Sequence, residues 1–203
     1  MEWSMYNDYG ERKYLTLDEF EEFMNCASKE NDDVKSFCYA VAISGCRISE
    51  ALSLSSRSID FSDGHLIVDT LKKRERRLFR AVPLPTWMLT LLDEQIQAGI
   101  LLPQQLWPWS RMTGYRRICE VMTAAGIFGA HACPKGLRHS FAVRAIQSGA
   151  PLNLVQRWLG HADIKTTAIY TNVMGPEERA IASRMWSKYQ PSKSNSSVLQ
   201  AAF

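Results

Sequence analysis

Residues 134–175 read PKGLRHSFAVRAIQSGAPLNLVQRWLGHADIKTTAIYTNVMG, and their punctuation divides them into three helices. Pro134 opens the first, which ends at Gly149. Pro151 opens the second, which ends at Gly160, and Asp163 caps a third that contains Tyr170. Proline at a first helical position gives up an N–H that has no intrahelical partner, and glycine past the last turn adopts a left-handed backbone without steric cost. Chemically able side chains cluster at these boundaries: Lys135, Arg138 and His139 at the start of one helix, His161 after Leu159-Gly160, and Tyr170 nine residues further on.

Working outward, Pro176 with Glu177-Glu178 opens a further helix ending near Tyr189, acidic in its first turn and basic (Arg184, Lys188) in its last. Ile181, Met185 and Trp186 form an apolar stripe along it. Upstream, helices are expected from Thr113 to Ala125 and from Pro85 to about Ala98. Before them the period changes to two. His65–Asp69 and Leu78–Val82 read as strands around the basic turn Lys72-Lys73-Arg74-Glu75-Arg76-Arg77, a β-hairpin with a cationic tip. Further back, Arg47 to Leu52 forms a short helix after the interruption at Gly45. Asp33 caps a helix whose stripe is Val34, Phe37, Val41 and Ala42, and Thr16–Glu19 is a capping box ahead of Phe20, Phe23 and Met24. The predicted fold is α+β and mainly α, with one small antiparallel β-sheet. It comprises an arm at 1–15, one folded domain at 16–190 and a flexible Ser-rich tail at 191–203.

Bulk properties agree. A chain of 203 residues with 46% hydrophobic and 22% charged residues suits one globular domain with its own core. The net charge of +3 permits a polyanionic partner without demanding one. Five cysteines with no C-x-x-C pair argue for reduced thiols rather than a disulfide frame or a zinc site. The first residues lack a signal-peptide pattern and no apolar run reaches membrane-spanning length, so a cytoplasmic protein is expected.

Taken singly, each chemically able residue has an ordinary explanation. Arg47 could simply pair with Glu50, a basic hairpin tip is usually solvated, and a lone helical tyrosine is usually core. Together, GCRISE at 45–50, the lysines after the first hairpin strand, PKGLRH at 134–139 and LGH at 159–161 followed by Tyr170 form an ordered set that resembles the tyrosine recombinase (phage integrase) family over roughly residues 15–185. The resemblance implies a helical tyrosine-recombinase catalytic domain and a site-specific recombinase that breaks and rejoins double-stranded DNA. Arg47 and Arg138 would then bind the non-bridging oxygens of the scissile phosphate, His161 would donate to phosphate and help deprotonate the tyrosine, and Tyr170 would attack phosphorus. A hairpin lysine would protonate the leaving 5′-oxygen, with Lys72 favoured over Lys73 by its distance from the strand. Lys73, Arg74, Arg76 and Arg77 would touch DNA phosphates. No cofactor or metal is implied. The partners the resemblance implies are double-stranded DNA, further copies of the chain in a tetramer on two sites, and DNA-bending accessory proteins in the nucleoid.

Two departures stand out. Lys135 occupies the place where the family usually carries histidine; an ammonium can bind phosphate oxygen but cannot act as a neutral base near pH 7. Only about fifteen residues precede the catalytic block, as in short invertases and reduced integrases. A binding-only accessory factor with this fold is the alternative of a different class. A type IB topoisomerase is the nearest alternative enzyme, and the spacing of the C-terminal block disfavours it.

Overall fold

The computed structural model describes residues 5–70 and 78–172, which belong to one compact unit, Met1–Val173. In chain order it contains α1 (Leu17–Ser28), α2 (Asp32–Ser44), α3 (Ile48–Ala51), β1 (Ile59–Asp60), β2 (His65–Asp69) and β3 (Phe79–Pro83). There follow α4 (Thr86–Gln97), α5 (Arg111–Ala124), α6 (Pro134–Gln147), α7 (Leu152–Leu159), α8 (Lys165–Ala168) and a 3-10 turn, Ile169–Asn172. This is the expected mainly helical fold with a small sheet.

The core is organised around α2, which packs against α1, α4, α5 and α6 and buries residues on most of its circumference, including Val34, Phe37, Cys38 and Val41. Phe37 meets the edges of Trp107 and Trp109 at centroid distances of 5.3 and 5.2 Å. Each such aromatic, withdrawn from water, contributes on the order of 2–3 kcal/mol. Trp107 also donates its indole N–H to the Asp33 carbonyl, so the ring is buried without leaving a donor unpaired.

The capping box forms as expected: the Thr16 hydroxyl accepts from the Glu19 amide and the Glu19 carboxylate accepts from the Thr16 amide. Glu19 also pairs with Arg12, which pulls its carboxyl down to about 2. The segment read as an arm is thereby anchored, with Met5 and Leu15 buried and the Leu15 amide bonded to the Ser140 hydroxyl on α6. The cap of α2 is Asn31 rather than Asp33, and α5 begins at Arg111 behind the Ser110 cap, two residues earlier than Thr113.

The sheet has three strands in the order β1-β2-β3, all antiparallel. Two were expected; β1 is only two residues long and carries no periodic pattern of its own. In the β2–β3 register Leu66 opposes Val82 and Val68 opposes Arg80, and all four are buried. Thr70 donates its amide to the Leu78 carbonyl at the base of the hairpin. The tip, with Lys72, Lys73, Arg74, Arg76 and Arg77, lies outside the described residues, as does the helix expected from Pro176. The five cysteines are free thiols. Among the described residues no helix is long and apolar enough to cross a membrane.

Candidate active site

A cavity of about 900 Å³ opens between α3, the sheet, α6, α7 and the final 3-10 turn. Arg47, Lys135, Arg138, His161 and Tyr170 all line it. The residues that sequence reasoning selected are therefore brought together, apart from the hairpin cations outside the described residues.

The two arginines are placed by chain reversals. Gly45 ends α2 in the left-handed region (φ 60°), and a β-carbon there would stand 2.4 Å from the Phe141 ring. The chain then swings Arg47 to the start of α3. Arg138, on α6, donates to the Gly45 carbonyl at 2.7 Å and to the Leu159 carbonyl at 2.5 Å, tying the end of α2 to the end of α7. It is 7% exposed, and burial, then the charge of Arg47, pushes its pKa down to about 10. It remains a cation at neutral pH. Among the described residues two of its five N–H donors have protein partners.

Arg47 is oriented by Glu50, whose carboxylate accepts from the Arg47 guanidinium at 2.7 Å and from the Arg47 backbone amide at 2.8 Å. Glu50 is almost completely buried. Burial alone would raise its carboxyl, but the hydrogen bond and charge of Arg80 and the Arg47 amide outweigh this and hold it below the usual range.

His161 follows Gly160, the left-handed end of α7, and shares a 2.9 Å hydrogen bond between its Nδ1 and the Thr167 hydroxyl. Burial, followed by the charges of Arg138 and Arg47, brings its pKa down to about 3, so the ring is neutral at pH 7. It stacks on Tyr170 with centroids 6.4 Å apart and planes 14° apart. Tyr170 lies in the 3-10 turn rather than on an α-helix capped by Asp163, because α8 ends after four residues and its continuation tightens. The N-cap of α8 is Ile164 rather than Asp163, whose carboxylate accepts from the Lys165 amide just inside the helix. The Tyr170 hydroxyl is hydrogen-bonded to His139 Nδ1 at 2.9 Å, not to His161. The phenol is 2% exposed and burial pushes its pKa up to about 12, against the pull of Arg138 and Arg47. His139 is itself lowered to about 4 by burial, then by Lys135 and Arg138.

Lys135 is exposed on the first turn of α6, and Arg111 and Arg157 add exposed cations to the lining. Asp163 is the one carboxylate among the described lining residues. Sequence reasoning gave no part to His139, Arg80, Arg111 or Arg157. His139 could have been sought as the neighbour of Arg138 in the same motif. Arg80 shares the parity of the inward Val82, but a cation in a strand carries no sequence sign that it is buried.

The helical architecture with a small sheet, and a tyrosine gathered with two arginines in one cavity, are those of a tyrosine recombinase catalytic domain. The chain belongs to the phage integrase family, whose model matches residues 13–175. It is 34% identical over 146 residues to the tyrosine recombinase XerD of Chlorobaculum tepidum, covering 68% of this chain and 46% of the relative. The chain thus spans about half the length of the curated relatives it matches. Its fold is similar to XerH site-specific recombinase bound to difH substrate in a pre-cleavage complex (TM-score 0.71, 22% identity, 89% of this chain and 59% of that one). It is also similar to the catalytic domain of bacteriophage HP1 integrase (TM-score 0.65, 17% identity, 88% and 95%).

Proposed function

We propose that this chain is a site-specific recombinase that cleaves and rejoins double-stranded DNA through a 3′-phosphotyrosyl intermediate. One observation carries the reading: Arg47, Arg138, His161 and Tyr170 line a single cavity that is otherwise rich in cations. A phosphodiester held there would meet forked donors from both arginines, suited to its non-bridging oxygens and to the charge that builds on them during attack. With Thr167 donating to Nδ1, His161 would carry its proton on Nε2 and could give a hydrogen bond to phosphate. The Tyr170 oxygen bonds to phosphorus as the bond to the 5′-oxygen breaks. Tyr170 loses a proton and the leaving oxygen gains one, supplied by Lys72. The phosphotyrosyl bond conserves the phosphodiester's energy, so rejoining needs no nucleotide.

The DNA duplex, a tetramer on two sites and DNA-bending helpers follow from the same reading, as does a cytoplasmic place at the nucleoid. The relatives' names and the DNA-bound neighbour support the DNA partner. The test is a duplex carrying the sequence that flanks the gene, nicked near the cleavage point. Wild type should trap a covalent adduct that protease removes, mapped to Tyr170. Tyr170→Phe should trap none yet bind the duplex equally, because a hydroxyl adds little to phosphate-dominated affinity. The buried, His139-bound state of Tyr170 favours a binding-only accessory factor as the second reading, and DNA binding without any wild-type adduct would establish it.

A further inference from the structure

We propose that Arg80, a β3 residue outside the set that contacts phosphate, is a positioning residue that locks Arg47 and His161 into one working arrangement; this rests on the phosphate-handling roles proposed above. Its guanidinium joins three separate pieces of chain. Nη2 donates to Glu50 at 2.6 Å, Nε to the Trp158 carbonyl at 2.7 Å, and Nη1 to the Thr70 hydroxyl at 3.0 Å. Glu50 is the carboxylate that orients Arg47 through both its side chain and its backbone. Trp158 lies in the last turn of α7, three residues before His161.

Gly160 belongs to the same device. Its φ of +65° favours glycine, and a β-carbon there would stand 3.0 Å from Arg80 Nη1 and 3.2 Å from its Cδ and Cζ. The glycine of the LGH motif thus lets the end of α7 close onto Arg80 and so places His161. A lysine could not reproduce the contacts, since an ammonium lacks the planar fork that reaches a carboxylate, a carbonyl and a hydroxyl at once. Nor is a fully buried ion pair an efficient way to stabilise a fold, because apolar residues of similar volume do as well or better. Its place between two phosphate-facing residues fits a geometric task.

The test is a double-mutant cycle in single-turnover adduct formation on the nicked duplex at saturating DNA, with urea unfolding to verify each fold. Arg80→Lys should slow the wild-type background by about 10- to 100-fold, the scale of misplacing one transition-state donor. In a background carrying both Arg47→Ala and His161→Ala, where neither side chain is left to position, it should cost no more than about threefold. Equal losses in both backgrounds, or full rate in Arg80→Lys, would overturn the proposal. If Arg80→Lys does not fold, Thr70→Val removes one of the three contacts and keeps the ion pair. It should slow wild type by about threefold and leave the Arg47→Ala, His161→Ala double variant unchanged; equal effects in both would overturn the proposal. If wild type forms no adduct, the cleavage reading falls and the same cycle is read from dissociation constants for the intact duplex. Non-additive losses there would support the positioning role, and additive ones would sink it.

Discussion

His139 Nδ1 and the Tyr170 hydroxyl oxygen stand 2.9 Å apart in the buried floor of the cavity, while His161 lies flat against the same phenol and hydrogen-bonds Thr167. Burial and the cations Lys135 and Arg138 make His139 a poor proton acceptor, so its service to Tyr170 is to fix the hydroxyl's direction. His139→Asn, which keeps a polar atom near the Nδ1 position, should retain most adduct formation. His139→Phe should lose about five- to tenfold, the equivalent of one neutral hydrogen bond near 1 kcal/mol. DNA affinity measured alongside should be unchanged in both variants.

Stability should fall as the solution is acidified from neutral pH. Unfolded histidine titrates near 6.5, whereas folded His139 and His161 titrate near 4 and 3. Between those values the unfolded chain holds protons that the folded chain refuses. The stability contribution is whole above about pH 6.5 and is lost as pH drops through the folded values, at most about 2.7 kcal/mol per unit for two protons. Urea midpoints from pH 8 to pH 4.5 would reveal the slope, and His139→Asn should roughly halve it.

Lys135 occupies an exposed position at the start of α6 and faces the same cavity as Arg138. Lys135→Ala should slow single-turnover cleavage by about one to three powers of ten, as expected for removing a donor to the transition state. Lys135→His should keep much of the rate. Indifference to Lys135→Ala would take the residue out of the chemistry.

The identity of the general acid can be read with a substrate whose bridging 5′-oxygen is replaced by sulfur, a leaving group that hardly needs a proton. Lys72→Ala should be severely slow on ordinary DNA and close to wild type on the sulfur substrate. Lys73→Ala should weaken binding and show no such recovery. A recovery confined to Lys73→Ala would transfer the role to that residue.

The helices were legible because their ends are written in local chemistry, such as the Thr16–Glu19 box and the prolines and glycines around α6 and α7. The strand β1 was not, since two residues carry no period and its pairing with Leu66 and His65 is set by tertiary contact. Tyr170 was visible from its spacing, but its 3-10 backbone and its bond to His139 depend on how the chain packs back onto α6. Arg80 escaped for a different reason. A cation between hydrophobic strand residues reads as solvent-facing, yet here Phe79 is exposed and Arg80 is buried because Glu50 waits beneath the sheet. Only a three-dimensional partner, thirty residues away, reverses the usual preference.

Arg138 reaches its position with its hydration already stripped, gripped by the Gly45 and Leu159 carbonyls and crowded by Arg47 and Arg80. On the proposed reading, a phosphate would meet a group that folding has already largely dehydrated and held in place. Burial, then Arg47 and Arg80, push the Arg138 pKa down while Glu50 opposes them, and on the proposed reading a bound anion would relieve the repulsion that Glu50 leaves uncancelled. Ligand and fold would then be thermodynamically linked. Inorganic phosphate, even without DNA, should raise the melting temperature in proportion to the logarithm of its concentration once the site begins to fill.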